Sequence, residues 1–144
     1  MSTPNDIPHR LYLTIGRLSR ALRQAGAPGP GHGAISAMAT LAAQGELRLG
    51  DLALKEGVAA ATMSRIVASL VEAGYVTREP DPVDRRAWLA AITDEGRRVL
   101  GDVQSVRIRE LCTRIERLPD DRRAALEAAL PALEALLDEE QPQP

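Results

Sequence analysis

Phenylalanine is absent from this 144-residue chain, aromatic residues make up only 2% of it, and there is a single cysteine, Cys112. Without aromatic bulk, the core has to be built from Leu, Ile, Val, Ala and Met, which suits helices packed closely together. One cysteine cannot close an intrachain disulfide, so an oxidising compartment is not indicated. No window approaches the roughly 18 apolar residues of a membrane span. The N-terminal stretch M-S-T-P-N-D-I-P-H-R lacks the apolar heart of a signal peptide. A cytoplasmic protein with no membrane partner is therefore the simplest expectation.

Lysine is scarce too. Lys55 is the only one, and Arg supplies the rest of the 18 basic residues. Arg is the better residue for paired hydrogen bonds to phosphate or guanine, although genome composition produces the same bias. The formal charge of −2 and pI of about 5.7 argue against nucleic-acid binding by bulk charge and leave room for a local basic site. Catalytic signatures are missing as well: there is no P-loop, dinucleotide glycine pattern, nucleophile elbow or HExxH. His9 and His32 have no Cys or acidic companions at ligand spacing, so neither a metal site nor an enzyme is expected.

What is present is a series of helical patterns around one short β signal. Leu11, Ile15, Leu18 and Leu22 recur at helical spacing over residues 9–25, after a polar arm at residues 1–8. A second helix is predicted at residues 34–43, with Ile35, Met38, Leu41 and Ala42 on one side. Residues 46–49 suit only a small strand able to receive a hairpin. A short helix at 51–56 leads through Gly57 to another at 60–73, whose buried face is predicted to hold Met63, Ile66, Val67, Leu70 and Val71. Residues 75–79 and 88–92 read as strands joined by P-D-P-V-D-R-R. Thr93 then caps a helix of roughly 25 residues. Pro119 ends that helix, and Asp120 or Asp121 is expected to cap the last one, which Pro131 should kink or split. The fold class is mainly α with a small β-hairpin wing: a winged helix-turn-helix lobe plus N- and C-terminal helices. The leucine stripes of those terminal helices exceed what one small lobe can cover, which points to a homodimer.

In a helix-turn-helix the second helix enters the major groove with its N-terminal residues nearest the bases. Here these are Ala60, Ala61, Thr62, Ser64 and Arg65, with Ser69 further along the same outer face. Arg65 suits guanine O6 and N7, Thr62 and Ser64 a phosphate or base edge, and Ala61 a thymine methyl. A solvated Arg on an exposed helix is the plainer account of Arg65. In the hairpin loop, Asp84, Arg85 and Arg86 form a candidate minor-groove element, with Asp84 orienting one of the arginines. A simple loop salt bridge is the alternative there.

The stretch L-A-L-K-E-G-V-x-x-x-T-M-S-R-I-V-x-x-L-V-E-A-G-Y-V-x-R, followed by D-P-V-D-R-R-A-W-L-A-A-I-T-D-E-G, resembles the MarR family of winged-helix transcriptional regulators. The resemblance is specific over residues 47–100, and the helical order agrees across most of the chain. It implies one MarR-like domain: a dimerisation helix and turn (1–33), the winged helix-turn-helix lobe (34–100) and C-terminal dimerisation helices (101–144). It further implies an obligate dimer on a palindromic double-stranded DNA operator, usually repressing, and often a small ligand bound between the lobe and the dimerisation helices. A pocket lined by Leu, Ile and Met would suit an aromatic or lipophilic ligand. Thr62, Ser64 and Arg65 match recognition-helix contact positions, and Asp84 and Arg86 the oriented minor-groove pair. The chain departs from the family in having Ala59 and Ala60 where Ser or Thr often opens the recognition helix, a loss of about 1 kcal/mol of capping. Some relatives sense oxidants through cysteine, but Cys112, beside Leu111 and near Ile115, is expected to be buried and structural. The acidic pI and the alanines at 59–61 also fit a winged-helix protein-interaction module without DNA binding, against which the retained Arg65, Arg85 and Arg86 speak.

Arg65→Ala is expected to weaken specific duplex binding by about 1–3 kcal/mol and relax preference at one base pair. Unchanged affinity and preference in a titration of that variant would remove Arg65 from base readout.

Overall fold

A computed structural model describes residues 6–26 and 29–138. The elements run α1 (Asp6–Gln24), α2 (His32–Gln44), β1 (Leu47–Arg48), α3 (Leu49–Glu56), α4 (Ala60–Glu72), β2 (Val76–Pro80), β3 (Trp88–Ile92), α5 (Asp94–Glu116) and α6 (Asp120–Ala135). They fall into two compact units, with the division inside α5 between Ile108 and Arg109.

Every fully buried apolar residue among those described lies between Ile35 and Leu100, in the first unit. Ile35, Ala37, Met38 and Leu41 of α2 meet Leu52 and Ala53 of α3 and Met63, Val67 and Leu70 of α4. Val76, Ala90 and Leu100 close the cluster from the sheet and α5. A polar clasp reinforces the α2–α3 packing: the Ser36 hydroxyl donates to Glu56 Oε2 at 2.5 Å and the Thr40 hydroxyl to Glu56 Oε1. The sheet is antiparallel in the order β1-β3-β2. The two-residue β1 does receive the hairpin, pairing Leu47 with Ala90 and Arg48 with Leu89.

α3 turns into α4 at Gly57, whose φ of 65° and ψ of 31° are left-handed, a conformation that a side chain disfavours. α5 starts where the sequence places it: the Thr93 hydroxyl accepts the Gly96 N–H at 3.0 Å and donates to the Gly74 carbonyl at 2.7 Å. This draws Gly96 so close to β2 that a Cβ there would overlap the Tyr75 carbonyl.

Several expectations need correction. α1 begins at Asp6, so the helix takes in part of the predicted arm, and residues 1–5 lie outside the described ones. Pro8 fits because the first helical turn has no use for its missing N–H. Val71 is 38% exposed, at the edge of the α4 stripe instead of inside it. In the second unit the N-cap of α6 is Pro119, with no side-chain cap; the Asp120 carboxylate pairs with Arg123 at 3.0 Å instead. Pro131 does not split α6, which runs unbroken to Ala135. It sits near the helix end, where losing one backbone bond costs little continuity. Cys112 is exposed, because it falls one residue off the half-buried stripe of Leu111, Ile115 and Leu118.

Gly96→Ala is expected to destabilise the protein by about 1–3 kcal/mol or more, because rigid backbone opposes the new methyl. Gly101→Ala in the same helix meets nothing within 4 Å and should stabilise by about 0.5–1 kcal/mol. Urea midpoints that fail to separate the two variants would rule out the close approach at Gly96.

Candidate nucleic-acid interface

Which side of α4 faces solvent follows from which side is buried. Met63, Val67 and Leu70 are held in the core, so Ala60, Ala61, Ser64, Arg65, Ala68 and Ser69 are exposed. Thr62 is half-buried on the flank, and Ser64, placed at the margin by pattern, is fully outward. All six residues singled out on this helix thus share one side, with Thr62 the least available. Arg65 forms no ion pair among the described residues. The helix opens on Ala59, in extended backbone, with no side-chain cap and no acidic residue in its first turn. Its first amides and the positive end of its dipole therefore meet no carboxylate from its own first turn, a condition that favours phosphate.

The wing is the hairpin of β2, β3 and the loop between them. Its neck is closed by the Asp81 N–H donating to the Ala87 carbonyl at 2.9 Å. Two aspartates shape it through backbone amides. Asp81 Oδ1 accepts the Val83 N–H at 2.8 Å, and Asp84 Oδ1 accepts the Arg86 N–H at 3.1 Å. The bond from Asp84 to Arg86 thus runs through the main chain. Arg85 and Arg86 are exposed and make no ion pair among the described residues. Elsewhere arginines do pair, as Arg98 does with Glu95 at 2.5 Å and Asp102 at 3.2 Å. That arrangement pushes the Arg98 pKa up and the Glu95 pKa down.

Sequence reasoning missed two residues of the wing. Asp81 is a buried carboxylate, 4% exposed, and it accepts Arg48 Nε–H at 2.6 Å. The Val83 amide, chiefly, together with the Asp84 amide and Arg48, holds its carboxyl below the ordinary value, against burial, which pushes it up. The second is Arg78, whose guanidinium stands 4.9 Å from the centre of the Trp88 ring, a cation–π arrangement on the hairpin. The D-P-V-D spacing was the available signal for Asp81; nothing in the sequence marked Arg48 as its partner.

An open cavity of about 330 Å³ lies in the first unit. Arg23, Arg98 and Arg107 line it with Asp102, Tyr75 and the valines 99, 103 and 106. Valine and arginine, with Tyr75, dominate this lining, and no Leu, Ile or Met contributes to it. Among the described residues no group of three or more His, Cys, Asp or Glu side chains is placed to hold a metal.

The MarR family model matches residues 32–88, from α2 to the start of β3. An HTH-type transcriptional regulator of Mycobacterium leprae is 35% identical over 130 residues, covering 90% of this chain and 91% of its own. The crystal structure of RV1404 from Mycobacterium tuberculosis superposes with a TM-score of 0.81 at 27% identity, covering 99% of this chain and 100% of that one. That of Bordetella bronchiseptica BpsR, whose DNA binding is regulated by 6-hydroxynicotinic acid, superposes at 0.66 with 18% identity, covering 93% and 96%.

A lowered carboxyl pKa stabilises the fold above the unfolded value, near pH 4, and the contribution fades as pH falls through the folded value. The wild-type protein should therefore lose stability as pH falls below about 5, with Asp81 and Glu95 contributing to the loss. Asp81→Asn should flatten that part of the profile. Identical pH profiles of urea unfolding for the two proteins would show that Asp81 carries none of it.

Proposed function

As this chain belongs to the MarR family of transcriptional regulators, we propose that it is a cytoplasmic homodimeric repressor of a palindromic operator, released by a small acidic ligand. The observation that carries the DNA reading is a set of exposed arginines on one lobe with no ion pair among the described residues: Arg65 on the outer side of α4, and Arg85 and Arg86 on the wing. α4 occupies the major groove, with Ala60, Ala61, Thr62, Ser64, Arg65 and Ser69 along it, and its uncapped N-terminus meets a phosphate. Arg85 and Arg86, with Asp84 shaping the loop, enter the flanking minor groove. Local charge does this work while the chain as a whole stays acidic.

Dimerisation is supported by α1, where no residue is buried and Ile7, Tyr12 and Ile15 are 62%, 77% and 53% exposed. Apolar area of that kind along one helix suits a second copy of the chain, with residues 1–33 and 101–144 forming the dimerisation region. Two recognition helices then meet successive major grooves about 34 Å apart.

The ligand site is the arginine- and valine-lined cavity. Three guanidiniums against one carboxylate favour an anion, and Tyr75 with the valines favours an apolar or aromatic body. BpsR, which shares the fold, responds to a ligand of that chemistry. Occupancy that tilts α5 changes the separation of the recognition helices and releases the operator.

Selection from a random duplex pool at near-physiological salt should return a palindrome with half-sites about one helical turn apart, bound with steep salt dependence. An aromatic acid should lower that affinity, and less so in Arg107→Ala. A folded dimer that selects no consensus would favour the protein-interaction reading instead.

A further inference from the structure

The Arg48–Asp81 ion pair joins two segments that the recognition helix and the wing arginines leave out. We infer that Asp81 is the positioning residue that fixes the wing to the start of the helix-turn-helix, so that Arg85 and Arg86 stand at a set distance from Arg65. The inference rests on the DNA-binding reading above and adds a second-site requirement to it.

The geometry argues for an anchor. Residues 82–86 are all exposed, whereas Asp81 at the neck of the loop is buried. A carboxylate is costly to bury unless its oxygens are engaged. Both are: Oδ1 by the Val83 amide and Oδ2 by the Arg48 guanidinium. Arg48 is itself held on both sides, as the last residue of β1, paired to Leu89, and as the N-cap residue of α3. β1 supports β3 only at Leu89 and Ala90. From Trp88 outward the hairpin has no third strand, and a two-stranded ribbon alone is marginal. The ion pair reaches past the end of β1 to the loop neck and supplies the missing brace. The turn at Asp84 shapes the loop tip locally, through Arg86, and ties it to nothing in the lobe.

Asp81→Asn keeps the side-chain shape and removes the charge. Arg48→Met keeps the aliphatic stem and the β1 register, and Arg48→Lys restores a cation. Without DNA, amide hydrogen exchange of residues 83–87 should quicken in Asp81→Asn and Arg48→Met while α4 keeps its protection. With the duplex selected by the wild-type protein, affinity should fall on the order of tenfold, the scale of a lost charge-assisted contact. Hydroxyl-radical protection of the flanking minor grooves should disappear, and methylation protection of guanine N7 in the major grooves should persist at saturating protein. Arg48→Lys should recover most of the flank protection. Wild-type exchange rates in the Asp81→Asn wing would overturn the inference. So would a parallel loss of both protections that tracks the melting temperature of the variant, which marks a general structural role. A wild-type chain that selects no duplex would count against the DNA-binding reading, and the exchange measurement would still decide whether Asp81 holds the wing.

Discussion

The packing of Met63, Val67 and Leu70 against α2 and α3 is the contact on which the rest of the lobe depends. It sets the rotation of α4 about its own axis, and a helix turned by one residue would swing every exposed side chain by about 100°. With no aromatic residue among the fully buried ones described, that rotation is fixed by shape complementarity among Leu, Ile, Met, Val and Ala. The left-handed Gly57 and the Glu56 clasp to α2 then limit how α3 approaches it. The outward position of Arg65 is a consequence of burial elsewhere, not of any interaction the arginine makes.

The net charge of this molecule says little about where its charges stand. Arg98, Arg114 and Arg123 are neutralised by carboxylates three or four residues away on the same helix, pairs that stabilise little when exposed. Arg65, Arg85 and Arg86 make no ion pair among the described residues; Asp84 accepts a backbone amide, and Asp81 accepts both an amide and the Arg48 guanidinium. A chain with net charge −2 thus keeps exposed arginines on both α4 and the wing. Bulk pI is a poor guide in such a case.

Much of this was legible in the sequence because it depends on short-range rules. The periodicities, the Gly57 turn, the Thr93 cap and the β3 boundaries follow from propensities within a few residues. The pairing of β1 with β3 was foreseeable from the leftover short strand. What escaped was of longer range or depended on competition between neighbours. Arg48 and Asp81 meet across 33 positions of chain, a distance that no local pattern spans. Asp120 was a reasonable cap until Arg123 claimed its carboxylate. Cys112 was judged by its neighbours in sequence, when its place one step off the half-buried stripe decides its exposure.

The cation–π pair on the hairpin has a practical side. Trp88 is the only tryptophan in the chain, and it sits in the wing beneath Arg78, 42% exposed. The indole emission of the protein therefore originates wholly in that hairpin. Its colour and quenching report the local environment of the wing and nothing else, giving an unlabelled optical channel on a single surface feature.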